Sequence, residues 1–164
     1  MKNENLSCDE LFMKEAIKLA KKAEKIGEVP IGAVIVKDGK IIARGYNKRE
    51  KNMCATAHAE TLAITTACKK EKNWRLSDCT LYVTLEPCPM CAGAMINARI
   101  NKIVYGAKNP QSGACGTKLS LPQMSLLNHT PEVVSGILEH QCAELMHIFF
   151  KKVRERNKKG DIKK

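Results

Sequence analysis

No stretch of this 164-residue chain approaches the roughly 18 consecutive apolar residues of a membrane-spanning helix. The opening segment, "MKNENLSCDELFMKEAIKLAKKAEK", is charged throughout and has no apolar run of the length a secretory signal needs. Repeats, low-complexity tracts and interdomain linkers are also missing. The expectation is a cytoplasmic protein with one domain over residues 1–157 and a short basic tail at 158–164. Eight cysteines in 164 residues fall below the roughly 8–10% typical of disulfide scaffolds. With no export signal the thiols should stay reduced, and Cys8, Cys68, Cys79 and Cys142 read as small core residues.

What is present in excess is positive charge. The formal net charge is +11, which points toward a polyanionic partner. Between Lys151 and Lys164 there are eight Lys or Arg against Glu155 and Asp161. Such a segment is either a solubilising tail or an arm that tracks phosphates.

Helical and strand patterns alternate along the chain. Ser7-x-x-Glu10 has capping-box spacing, apolar residues from Phe12 to Ile26 recur at helical intervals, and Gly27 reads as the stop. A hairpin follows around Asp38-Gly39, with Ile31–Val36 apolar enough to be buried on both faces. A second helix is expected over about 56–70, with Thr56 as a candidate cap. Thr80–Leu85 reads as a strand, Pro89–Ala98 as a helix, and "NKIVYGA" and "EVVSG" as the last strands. A long connection over 108–131 separates those two, and helical spacing over Leu138–Arg156 closes the chain. The order suggests a layered α/β domain on a mixed sheet.

The chemistry concentrates in two short pieces. Pro87-Cys88-Pro89-Met90-Cys91 places two thiols at the opening of a helix, where free N–H groups and the helix dipole favour thiolate. A Cys-x-x-Cys alone fits a redox pair, half of a zinc site, or chance. His58-Ala59-Glu60, some thirty residues earlier, supplies the missing partner. His58, Cys88 and Cys91 make three ligands for Zn²⁺ and leave a fourth position for water, the catalytic arrangement. Glu60 sits two residues beyond His58, placed to move protons without being a ligand. His-x-Glu followed by Pro-Cys-x-x-Cys is the signature of zinc nucleobase deaminases. A closed structural site completed by Cys54 and a thioredoxin-like redox pair are the other readings of these residues. His129, His140 and His147 read as surface or satisfied core residues.

The chain resembles the bacterial tRNA-specific adenosine deaminases, within the cytidine-deaminase-like superfamily. The resemblance rests on "GEVPIGAVIV", "GYN", "AHAE", "LYVTLEPCPMCAGAMI", "VYGA" and Asn128-His129, and spans about residues 12–154. It implies a three-layer α/β/α sandwich around a five-stranded mixed sheet, with both metal-binding helices on one face. It further implies a homodimer that converts the wobble adenosine in the anticodon loop of an arginine tRNA to inosine. By the same resemblance Asn47 touches the substrate nucleotide, and Val29, Pro30 and Leu85 lie near the base pocket. Lys108 and the basic C-terminal region would hold phosphates. Many relatives carry an aspartate where this chain has Asn109, near the ribose of the RNA loop. Asparagine keeps hydrogen-bonding capacity but loses charge, which puts the stringency of RNA-over-DNA selection in question. The alternative is that Asn109-Pro110 only shapes a turn.

The expected reaction is hydrolytic attack on C6 of a flipped-out adenine, with Glu60 moving the protons. The same metal site would also serve a deaminase of free guanine or cytosine, and, with Cys54 as fourth ligand, a non-catalytic RNA-binding zinc module.

Overall fold

The structure is a computed structural model that describes residues 6–158. The first helix, α1 (Cys8–Lys25), starts as its sequence dictates: the Ser7 side chain accepts from the Glu10 N–H, and the Glu10 carboxylate accepts from the Ser7 N–H. It ends where Gly27 takes φ +83°. The Gly27 N–H bonds Glu24 O and the Glu28 N–H bonds Ala23 O, a Schellman stop that turns the chain sharply into Glu28.

Strands β1 (Gly32–Lys37) and β2 (Lys40–Tyr46) form the expected hairpin. Asp38 and Gly39 both have positive φ, 48° and 70°, as a type I′ turn requires. Helix α2 is Ala59–Glu71, β3 is Cys79–Leu85, α3 is Pro89–Asn97 and β4 is Lys102–Ala107. Strand β5 (Glu132–Ser135) and helix α4 (Glu139–Lys158) complete the chain.

The strands form one sheet in the order β2-β1-β3-β4-β5. The β1–β2 and β1–β3 pairs are antiparallel, and β3–β4 and β4–β5 are parallel. Alternate residues of each strand face opposite layers. Ala33, Ile35, Leu81, Val83, Ile103 and Tyr105 pack against Ala59, Ala63 and Ala67 of α2 and Cys91, Ala92 and Met95 of α3. Val34, Val36, Tyr82 and Val104 pack against Met13, Ala16 and Ile17 of α1 and Cys142 of α4. The result is the three-layer sandwich on a five-stranded mixed sheet, with α2 and α3 sharing a face.

Several expectations shift. Helix α2 begins at His58 as N-cap rather than at Thr56: Thr56 O is taken by the His58 N–H, and His58 itself is extended. Helix α4 starts at Glu139 because Leu138 has φ +53° and cannot belong to it. It runs to Lys158, and residues 159–164 of the expected tail lie outside the described residues. Cys79 and Cys142 are buried as expected, Cys68 is half-buried and packs against the α2–α3 core, and Cys8 is exposed. The 108–131 connection contains a short 3₁₀ turn, Leu121–Gln123, and a Cys115–Ser120 bridge.

The topology gathers one edge of the molecule. Strands β3 and β4 are parallel, so their C-terminal ends, Leu85 and Ala107, lie side by side. Because β1 runs against β3 and β2 against β1, the start of β1 and the end of β2 reach the same edge. There Val29–Ile31, Asn47, Glu86–Cys88 and Lys108–Asn109 converge. Ligand sites in open α/β sheets form in this crevice beyond the strand carboxyl ends.

Candidate active site

Two helix N-termini meet at that edge. His58 is the N-cap of α2 and Cys88 the N-cap of α3, and neither caps its helix with its side chain. The side chains turn toward each other instead. His58 Nδ1 lies 3.8 Å from Cys88 Sγ and 3.5 Å from Cys91 Sγ, and all three donor atoms are within 4.8 Å of one another. A tetrahedral Zn²⁺ with ordinary Zn–S and Zn–N lengths sets its nitrogen and sulfur ligands about 3.6 Å apart. The triangle therefore fits the ion without rearrangement.

The electrostatics favour thiolate at one of the two cysteines. The Cys88 thiol is drawn down to about 4, first by its hydrogen bond with Cys91 and then by His58, against the cost of burial. Its thiolate and burial together push Cys91 up. The bond to Cys88 raises His58. Cys54 is not part of the group: it is exposed, and its Sγ lies 3.3 Å from Thr56 Oγ1. The closed site that would need Cys54 has no support here.

Buried polar side chains cluster at the same place. Among the described residues they are Glu28, Asn47, Glu60, Thr84 and Glu86. Thr84 Oγ1 accepts from the Gly32 N–H. Glu28 accepts from the Lys51 N–H at 2.8 Å and from Asn47 Nδ2 at 3.3 Å. Glu86 accepts from the N–H groups of Asn109, Cys115 and Thr117, each at 3.0 Å, and from the Thr117 hydroxyl. Burial alone would push the Glu86 carboxyl up, but these donors outweigh it and hold it below the usual range. Glu60 stands apart, because its Oε2 is buried with no partner. Burial raises its carboxyl.

Asn47, Glu60 and Glu86 border a cavity of about 220 Å³ that is also lined by Val29, Ile31, Arg49, His58, Leu85, Cys88, Asn109, Gln111, Ser112, Met146 and Phe150. Of the residues singled out from sequence, the structure brings His58, Glu60, Cys88, Asn47, Val29, Leu85 and Asn109 to this cavity, with Cys91 buried just behind it. Pro30 is buried beside the wall but is not part of the lining. Lys108 lines an adjoining cleft, which shares Leu85, Asn109, Gln111, Met146 and Phe150 with the first. His129 is a satisfied residue, bonding Ile100 O at 2.7 Å. Asn109 closes its own turn: its Oδ1 accepts from the N–H groups of Gln111 and Ser112, both at 3.1 Å. The side chain is thus engaged within its loop, as the turn-shaping reading has it, while the residue also lines the cavity.

Sequence reasoning missed Met146 and Phe150. The helix that carries them was visible through Leu138, Cys142, Leu145 and Phe149, but only the packing of α4 over the β4 end brings these two to the cavity. Glu28 and Glu86 were missed as well. Each is a lone acid next to a motif residue, and nothing local marks it as buried.

A buried carboxyl with one unpartnered oxygen beside a His-Cys-Cys triangle at the strand ends is the arrangement of the zinc nucleobase deaminases. The comparisons agree. The MafB19-like deaminase family matches residues 7–154. The tRNA-specific adenosine deaminase of Bacillus subtilis (strain 168) is 55% identical over 153 residues, which is 93% of this chain and 95% of that one. A chain solved in a study of A-to-I editing by tRNA:A34 deaminases superposes with a TM-score of 0.80 at 43% identity, covering 82% of this chain and 98% of the other. A guanine deaminase from Nitrosomonas europaea superposes at 0.74 with 26% identity, covering 88% and 85%. The chain belongs to the MafB19-like deaminases, and among them to the tRNA-specific adenosine deaminases.

Proposed function

We propose that the protein hydrolyses adenosine to inosine at the wobble position of a tRNA anticodon, an arginine tRNA by resemblance, with one Zn²⁺ per chain. The carrying observation is the His58–Cys88–Cys91 triangle, which opens beside Glu60 and its unpartnered Oε2 into a cavity with room for a single base. The identity to the Bacillus subtilis relative and the +11 charge support the tRNA substrate.

His58, Cys88 and Cys91 would hold the ion, and a bound Zn²⁺ supplies a water acidified toward neutrality. Glu60 would take a proton from the attacking water and deliver it to the adenine ring nitrogen beside C6 as the water oxygen adds to C6 as a hydroxyl. Glu60 would then take the proton of that hydroxyl and pass it to the exocyclic nitrogen, so that the C6–N bond breaks, ammonia leaves and C6 keeps a carbonyl. Val29 and Leu85 flank the base, Asn47 contacts the nucleotide, and Pro30 backs the wall. Asn109 and Lys108 lie toward the adjoining cleft, where an RNA backbone would leave the site. An anticodon-loop base is unpaired, so turning it into the cavity costs little.

We read residues 1–157 as a single domain, since both cores share one sheet. No helix among the described residues is long and apolar enough to cross a membrane, and a cytoplasmic location suits a tRNA substrate. Leu119, Met124, Leu126 and Leu127 are exposed apolar residues in the long connection, which supports a homodimer that covers them.

Metal analysis should find one zinc per chain, lost in Cys88→Ser and kept in Cys54→Ser. A Cys54→Ser protein without zinc would restore the closed-site reading. Incubation with an arginine tRNA transcript should give inosine at the wobble position, from a sample that sediments as a dimer. The Nitrosomonas europaea neighbour favours the second reading, a free-base deaminase. Ammonia release from guanine or cytosine without inosine in the tRNA would decide for it.

A further inference from the structure

We propose that Glu28 is a positioning residue that fixes the polarity of Asn47, so that Asn47 meets the substrate as a hydrogen-bond acceptor. The inference rests on the reading of Asn47 as a substrate contact.

Glu28 is only 2% exposed. The Schellman stop of α1 delivers it there, because the Glu28 N–H is the one that returns to Ala23 O. Its two carboxylate oxygens have separate tasks. Oε1 accepts from the Lys51 N–H at 2.8 Å, and Oε2 accepts from Asn47 Nδ2 at 3.3 Å. A carboxylate offers lone pairs and no proton, so only the NH₂ end of the Asn47 amide can face it. The amide is therefore oriented. The Asn47 backbone N–H is used by Ile31 O. Among the described residues no donor is bonded to Asn47 Oδ1, and Asn47 lines the cavity. The carbonyl is the face it presents to substrate.

A fixed acceptor in a small cavity selects chemically. It accepts a hydroxyl or an exocyclic amine and rejects a phosphate oxygen or an unprotonated ring nitrogen, which would leave a desolvated carbonyl unpaired. The matching group is a donor on the nucleoside, a sugar hydroxyl or the amine itself.

Glu28→Gln tests this by inverting the polarity. The Lys51 N–H still requires an acceptor, so the new amide turns its oxygen there and its NH₂ toward Asn47. Asn47 must then flip and show NH₂ to the cavity. The expected result is a KM for an anticodon stem-loop raised about tenfold, with kcat changed less, and with zinc content and melting temperature close to those of the parent. In an Asn47→Ala background the same Glu28→Gln change should cost less than twofold, because its effect passes through Asn47. In protein labelled with ¹⁵N-asparagine, the Asn47 side-chain NH₂ should exchange slowly in the parent and faster in Glu28→Gln. An equal penalty in both backgrounds would overturn the proposal, as would a Glu28→Gln enzyme with unchanged KM. If the parent makes no inosine at all, the assignment of the reaction fails instead, and the exchange rates still report the amide orientation.

Discussion

Glu60→Gln should keep its zinc, melt no lower than the parent, and form inosine about 10²–10⁴ times more slowly, the range that a positioned general acid–base supplies. The three readouts belong together. Glutamine has the same size, so the apolar contacts of Ala59 and Ala63 on either side of position 60 are kept. Glu60 is not one of the three donor atoms grouped for metal, so the ion should stay. Its Oε2 is buried without a partner, which is a cost to the fold that an amide, uncharged, reduces. A residue kept at the expense of stability, with one buried oxygen left unbonded, is the pattern expected of a functional group. The other two buried carboxylates at this edge are fully bonded and hold loops in place. Glu60 alone is left to receive a proton. Inosine formation within tenfold of the parent would remove Glu60 from the reaction, and loss of zinc would make it a structural ligand in disguise.

How far the sequence carried this picture varies by element. The capping box at Ser7–Glu10, the Gly27 stop and the Asp38-Gly39 turn are local devices, and each forms as read. His58, Cys88 and Cys91 were legible because metal chemistry restricts both residue type and placement at helix starts. The start of α2 was misread because Thr56 is a good cap by composition. The chain instead needs His58 extended so that its ring reaches the thiols, and tertiary demand overrides local propensity. Cys8 was misjudged for a related reason: cysteine is apolar enough for a core, but at the start of α1 it is exposed. The walls of the cavity were least legible. Met146 and Phe150 come from a helix some sixty residues after Leu85, and only sheet topology brings them together. Asn109 lines the cavity while its Oδ1 accepts from the N–H groups of Gln111 and Ser112, so one residue shapes the turn at the cavity rim.

Gly45→Ala should destabilise the protein by about 3 kcal/mol, lowering the melting temperature by about 6–12 °C, and should weaken zinc retention as well. Gly45 lies in β2, paired with Ala33. A Cβ added there would run into the Ala59 carbonyl oxygen and come within 2.8 Å of the Ala63 N and 3.1 Å of the Ala59 carbonyl carbon. These are backbone atoms of the first turns of α2, and unlike a side-chain tip they cannot rotate away. To make room, α2 must lift from the sheet at the end that carries His58 and Glu60. The cysteines ride on α3, which does not have to follow, so the triangle opens and the ion is held less tightly. Gly93 gives the contrasting case. It sits within α3 with nothing within 4 Å of an added Cβ. There the same change should stabilise by about 0.5–1 kcal/mol through helix propensity alone. Calorimetry and zinc titration on the two variants separate the effects. A Gly45→Ala protein that melts like the parent and keeps its zinc would mean that close packing of α2 on β2 does not set the geometry of the metal triangle.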